Sequence, residues 1–70
     1  MTHHKTMKDK DYDLVSTLYH ALQGVEKCEE YLEDAEKSGD EGIKAFLKDT
    51  QQKYRDISDQ AKALLSERMG

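Results

Sequence analysis

Two long apolar stripes at helical spacing, separated by one short polar break, limit what this chain can fold into. The first stripe alternates steps of four and three residues without interruption: Leu14, Leu18, Ala21, Val25, Cys28, Leu32, Ala35. The second repeats that spacing: Ile43, Leu47, Thr50, Tyr54, Ile57, Ala61, Leu64. Residues three and four apart share one face of an α-helix. The pattern therefore predicts two amphipathic helices of about 26 residues each.

The break between the stripes has the composition of a tight turn between helices. Gly39 can adopt the left-handed conformation that ends a helix, and either Ser38 or Asp40 can cap the next one. Ser38 and Glu41 also fit the S-x-x-E capping box. A connection this short makes the helices antiparallel neighbours. The predicted fold class is an all-α antiparallel two-helix hairpin, with helix one at about 12–37, the turn at 38–41 and helix two at about 42–68.

Composition indicates that the hairpin needs a partner. Only 36% of the 70 residues are hydrophobic and 37% are charged, and proline is absent. Two helices bury one side of each stripe, while each ordered residue costs on the order of 1.5 kcal/mol. We therefore expect a homodimer that forms a four-helix bundle, with higher assembly or pairing with another bundle protein as alternatives. The predicted oligomer interface comprises Leu18, Leu22, Val25, Phe46, Tyr54, Ile57, Leu64 and Leu65.

The N-terminal residues and the single cysteine bear on location. Residues 1–10 are polar, without periodicity, and are predicted to be a flexible tail that contains His3 and His4. No apolar run approaches the roughly 18 residues that cross a bilayer, so no membrane partner is expected. Cys28 has no second cysteine to pair with inside the chain, which fits a reducing compartment. The predicted localisation is cytoplasmic.

Charge is distributed unevenly along the chain. The net charge is -4, but residues 11–39 hold eight acidic and two basic residues, whereas residues 40–70 hold six of each. A protein that binds nucleic acid would show a basic stripe, so no nucleic acid partner is expected. The acidic second half of helix one is either a solvated face, partly neutralised by Lys27, Lys37, Lys44 and Lys48, or a surface that docks a basic protein.

The segment 23–65 resembles one helical hairpin of the ferritin-like superfamily, of the rubrerythrin type. The residues that carry the resemblance are Tyr31–Ala35 with the following Glu-Lys, the Gly-containing turn, Ile43-Lys-Ala-Phe-Leu, Thr50 and Ala61-Lys-Ala-Leu-Leu. The resemblance implies a ferritin-like four-helix bundle made from two hairpins. Most of these residues are packing and helix-forming positions, so the likeness concerns the fold more than the chemistry.

The resemblance also implies where metal ligands would stand. Each hairpin of that family gives a di-iron centre one Glu from its first helix and a Glu-x-x-His from its second. Aligned without a gap, those positions are Gly24, Tyr54 and Ile57 in this chain, and none of them can replace the Glu or His ligand. The implied protein is a bundle without a cofactor, in which apolar packing replaces the metal.

These observations predict a non-enzymatic protein that acts as an oligomerisation and interaction module. No pair of nucleophile and base stands out, and no cofactor is expected. The alternative is a metal-binding or oxidative-stress protein that uses carboxylates on helix one: Glu26, Glu29, Glu30 and Glu33. Carboxylates four residues apart lie on one side of a helix and could share a cation.

Overall fold

The computed structural model of the protein describes residues 9–69, and for Met69 only the backbone. Two helices, α1 (Asp9–Ser38) and α2 (Glu41–Met69), pack against each other as a hairpin. They are antiparallel, because Arg68 near the end of α2 pairs with Asp11 near the start of α1, at 3.4 Å between Nε and Oδ1. The all-α hairpin predicted from the sequence is confirmed.

The start of α1 differs from the predicted boundary. The helix begins at Asp9 rather than near residue 12, so residues 9 and 10 of the predicted tail are helical, and residues 1–8 of that tail lie outside the described residues. Asp9 and Asp11 fall in the first turn, where carboxylates interact favourably with the positive end of the helix dipole. This acidic start explains the earlier boundary.

The turn is stabilised by backbone and side-chain hydrogen bonds. Gly39 has a φ of 74°, its N–H donates to the Glu36 carbonyl at 3.2 Å, and the Asp40 N–H donates to the Ala35 carbonyl at 3.1 Å. This pair of bonds is a Schellman motif. Asp40 caps α2, since its Oδ1 accepts from the Ile43 N–H at 3.0 Å, whereas the Ser38 hydroxyl donates back into α1. Of the two predicted caps, the structure uses Asp40.

The seam of α1 follows the first apolar stripe. Ala21, Cys28 and Ala35, spaced seven residues apart, are buried against α2. The other four residues of the stripe, Leu14, Leu18, Val25 and Leu32, are half-buried. Small side chains at the centre of the seam let the two helix backbones approach closely. The sequence pattern therefore identified the contact side of α1 correctly.

The seam of α2 differs from the second apolar stripe. Leu47 and Ala61 are buried as expected, but Gln51 and Ser58 are buried beside them, while Ile43, Ile57 and Leu64 are exposed. The Gln51 side-chain amide donates to the Val25 carbonyl at 2.9 Å and to Glu29 Oε1 at 3.1 Å, and the Ser58 hydroxyl donates to the Arg55 carbonyl. A polar side chain that is hydrogen-bonded can be buried at little cost. A pattern of apolar residues alone could not detect this.

The hairpin is a single layer of helices with two broad faces. Its dimensions are 49 × 25 × 13 Å. Within residues 9–69 no side chain is buried to less than 2% exposure, and the seam consists mostly of small residues. Neither described helix contains an apolar stretch that could cross a lipid bilayer. Most of the larger side chains therefore lie outside the seam, on the two broad faces.

Candidate interaction site on the uncharged face

Eight positions along one broad face carry no charged side chain, and we call this surface the uncharged face. Residues seven apart return to nearly the same side of a helix. Four such positions lie on α1 and four on α2: Thr17, Gly24, Tyr31, Ser38, and Ile43, Thr50, Ile57, Leu64. Tyr31 and Thr50 line one cavity, and Ser38 and Ile43 line a neighbouring one. The two columns therefore run side by side along the hairpin.

Large apolar side chains on and beside this face are exposed. The exposed fraction is 64% for Phe46, 51% for Ile43, 49% for Tyr31, 43% for Ile57 and 42% for Leu64. Single exposed apolar residues are common on protein surfaces, but a contiguous group of them marks an interaction site. The chain is 37% charged, yet the two columns themselves contain no charged residue, and Lys27 and Asp34 line the cavities beside them. The uncharged face is thus the candidate functional site.

Two open cavities lie in the half of the uncharged face next to the turn. One has a volume of about 350 Å³ and is lined by residues that include Gly24, Phe46 and Tyr54. The other, of about 470 Å³, is lined by residues that include Tyr31, Ile43 and Leu47. Both cavities are open to solvent and bounded mainly by apolar groups.

The threonine and serine hydroxyl groups on the uncharged face already have partners within their own helices. Thr17 donates to the Asp13 carbonyl at 2.8 Å, Ser38 to Ala35 at 3.1 Å and Thr50 to Phe46 at 2.9 Å. A hydroxyl that bonds to the backbone of the preceding turn does not need water as its acceptor. Covering these three residues with another protein would therefore leave no hydroxyl donor unsatisfied.

Gly24 and Tyr54 meet beneath this face. A methyl group added at Gly24 would lie 2.7 Å from three carbons of the Tyr54 ring, so the ring fits only because position 24 lacks a side chain. These are two of the positions at which the ferritin-like resemblance implies metal ligands. In this chain the Tyr54 ring packs on Gly24 at these positions, and Ile57, at the third position, is exposed on the uncharged face.

The opposite broad face, which we call the charged face, places carboxylates of α1 along lysines of α2. Glu29, Glu33 and Glu36 line one groove together with Lys44 and Lys48. Glu36 and Lys44 form an ion pair across the helices. Their shared hydrogen bond and opposite charges lower the pKa of the Glu36 carboxyl and raise the pKa of Lys44. The neighbouring helix thus partly neutralises the acidic half of α1.

The four carboxylates of the metal-binding alternative are exposed on α1. Glu29 accepts a hydrogen bond from Gln51, and Glu30 lies 3.7 Å from the Lys27 ammonium, while Glu26 and Glu33 are also at the surface. Within residues 9–69, no three Asp, Glu, His or Cys side chains come together in a way that could hold a metal ion. The described geometry gives this alternative no preformed site.

The structure divides the predicted interface residues among three places. Phe46, Ile57 and Leu64 are exposed at the uncharged face, with Tyr54 half-buried beneath it. Leu18, Val25 and Leu65 are half-buried beside the seam. Leu22 is exposed, but it lies seven residues before Glu29 and therefore on the side of the charged face. Tyr31, Ile43 and Thr50 were not predicted as interface residues, although the missing charge at seven-residue spacing could have identified them.

Comparison of the chain with known protein families, with curated proteins and with solved structures finds no match. The ferritin-like resemblance therefore stays a prediction. The interpretation of the site depends on the geometry and chemistry of the two faces.

Proposed function

We propose that this protein is a non-enzymatic helical-bundle module that associates with other chains, in the first place with itself, through the uncharged face. The observation that supports the proposal is the row of exposed large apolar side chains at positions without charge. In a chain this rich in charged residues, keeping eight adjacent positions uncharged is expected where water is excluded in the functional state.

Energetics favours covering this face. A domain normally consists of at least two packed layers around a core, and this hairpin has only one. Burying a side chain such as Phe46 or Ile57 contributes on the order of 1.5–3 kcal/mol. Several such residues lie on one face, so a second layer would offset a large part of the conformational entropy that two long helices lose. Association and stable folding are thus coupled in this proposal.

The size of the face matches that of a stable interface. Its two longest dimensions, 49 and 25 Å, enclose an area on the order of 1,000 Å². Stable protein interfaces bury about 800 Å² on each partner. The uncharged face is therefore large enough, and the resulting assembly would be a four-helix bundle.

The charged face would remain in water in this assembly. Its carboxylates and lysines keep the bundle soluble, and the acidic side of α1 is the surface on which a basic protein could dock. A cytoplasmic setting suits the single thiol of Cys28, which is buried and free.

The test compares two substitutions of nearly equal starting exposure. Ile57 is 43% exposed on the uncharged face and Leu22 is 41% exposed on the side of the charged face. We expect tag-free wild-type protein to sediment as a dimer, about twice 8.1 kDa, with or without ferrous iron. Ile57→Lys should weaken association at least about tenfold, because two lysines would enter an apolar interface, whereas Leu22→Lys should leave it unchanged.

Two results would overturn the proposal. Wild-type protein that remains a folded monomer at high concentration would show that the uncharged face needs no partner. Iron bound in a fixed ratio to subunits, and required for association, would favour a metal protein and make the carboxylates of α1 the next residues to substitute.

A further inference from the structure

Large and small residues face each other at every level of the uncharged face. The Glu36–Lys44 and Asp11–Arg68 ion pairs fix the antiparallel register, which puts Tyr31 about level with Thr50 and Ile43 about level with Ser38. Steps of seven residues along both helices then place Ile57 level with Gly24, and Leu64 level with Thr17. Each of the four levels therefore has one large side chain and one small one. The large residue is on α2 at three levels and on α1 at the level of Tyr31.

A second copy can cover this face with twofold symmetry in two ways. In a head-to-head arrangement both turns lie at the same end, and α1 of each copy faces α2 of the other at the same level. In a head-to-tail arrangement the turns lie at opposite ends, and each helix faces its own equivalent with the levels reversed. The two arrangements bring different side chains together.

Packing favours the head-to-head arrangement. It places Tyr31 opposite Thr50 of the second copy, Leu64 opposite Thr17, and Ile43 opposite Ser38. Ile57 lies opposite Gly24, where it meets the Tyr54 ring that packs on this glycine. A large residue thus faces a small one at all four levels. The head-to-tail arrangement would instead put Ile43 onto Leu64 at its ends, with Thr17 facing Ser38. Protein interiors are closely packed, and alternation of large and small residues across facing positions achieves this.

Charge favours the same arrangement independently. The α1 segment 11–39 carries a net charge of -6, from eight acidic and two basic residues, and segment 40–70 is neutral. Head-to-tail pairing would set two strongly acidic helices directly against each other. Head-to-head pairing sets each α1 between two copies of α2. The facing columns are uncharged in both arrangements, so this preference comes from the net charge of the whole helices. Like charges placed opposite one another cost binding free energy.

We infer that the occupant of the uncharged face is a second copy of this chain, docked head to head with both turns at the same end. This inference rests on the proposed function, since it assumes that the chain self-associates through this face. It adds the orientation, the four pairs of facing residues and the position of the two charged faces on opposite outer sides of the bundle.

Distances between spin labels test the orientation directly. In a Cys28→Ala background, Lys37→Cys carries a label near the turn and Gln52→Cys carries one near the middle of the hairpin. Head-to-head docking predicts a distance below about 30 Å between the two labels at position 37, set only by the width of the bundle. Head-to-tail docking predicts about 40 Å, because each label lies about 13 residues from the middle at 1.5 Å per residue.

The label at position 52 separates failure of the inference from failure of the proposed function. The two labels at position 52 are close together in either arrangement. A short distance at position 52 combined with about 40 Å at position 37 would overturn only the head-to-head orientation. Absence of a dipolar signal from both labels, with a monomeric mass, would overturn self-association itself. If Cys28→Ala weakens the dimer, Cys28 is retained, since it is 3% exposed, and its background labelling is measured on wild-type protein.

Discussion

On the charged face Lys44 reaches Glu36 and Gln51 reaches Glu29, whereas on the uncharged face Tyr31, Phe46 and Ile57 are left exposed. The same two helices build both faces. Long polar side chains can span the groove between two helices, so a single hairpin can satisfy its charges internally. Apolar side chains of one helix layer cannot remove each other from water in this way. The difference teaches that a hairpin can pair charged and polar groups of its two helices alone, whereas in the proposed function its uncharged face is covered by another layer.

Among the substitutions that compare the two faces, Gly24→Ala is expected to change the stability of the protein most. Alanine is a better helix former than glycine by about 1 kcal/mol, but its methyl group would lie 2.7 Å from the Tyr54 ring. Overpacking of this kind costs about 1–3 kcal/mol, so we expect a net loss of stability and displacement of Tyr54 into the uncharged face. Urea unfolding followed by circular dichroism measures the loss.

Gly42→Ala is the matched control, because a methyl group there would meet the Asp40 carboxylate at an ordinary contact distance of 3.6 Å. This substitution should be neutral or slightly stabilising. Tyr54→Leu combined with Gly24→Ala should recover part of the loss, since the ring is removed. A stabilising Gly24→Ala would show that Tyr54 does not need the space, and that the base of the uncharged face is loosely packed.

The smallest effect is expected on the charged face, from Lys44→Gln. The lowered pKa of Glu36 means that its pairing stabilises the folded state above the ordinary carboxyl value of 4.5, and that this stabilisation is lost as pH falls through the lowered pKa. The raised pKa of Lys44 means that its contribution is lost as pH rises above 10.5. Lys44→Gln should lower the melting temperature near neutral pH by a few degrees at most.

Melting curves of wild type and Lys44→Gln should converge in acid, once Glu36 is protonated. Lys53→Gln serves as the control, because its pair with Asp49 lies within one helix and both side chains are mostly exposed. An equal gap between wild type and Lys44→Gln at acidic and neutral pH would show that the Glu36 pair does not stabilise the charged face.

The sequence predicted the hairpin well because its main determinants are local. The regular stripe of α1 and the left-handed Gly39 are each specified by a few neighbouring residues. The contact side of α2 was harder to predict, because the buried positions Gln51 and Ser58 are polar. Their burial depends on hydrogen bonds to Val25 and Arg55 carbonyls, and the bond to Val25 forms only when the two helices meet.

The candidate site was predicted only in part, for a related reason. Phe46, Ile57 and Leu64, which were predicted as interface residues, lie on or beside the uncharged face, whereas Leu22, predicted together with them, lies on the other side of the hairpin. Apolar character alone does not tell which residues share a face. Tyr31 and Gly24 gain their significance from the cavity between the helices, and that cavity exists only once the packing register is known.

The concentration dependence of thermal unfolding tests the central claim most directly. If folding of the hairpin is coupled to pairing through the uncharged face, the melting temperature should rise by several degrees between about 1 and about 100 µM protein, because mass action stabilises the assembled state. Far-UV circular dichroism in cells of different path length measures both samples with the same probe. A melting temperature that is the same at the two concentrations would contradict the account, since it would show that the single hairpin folds and unfolds alone.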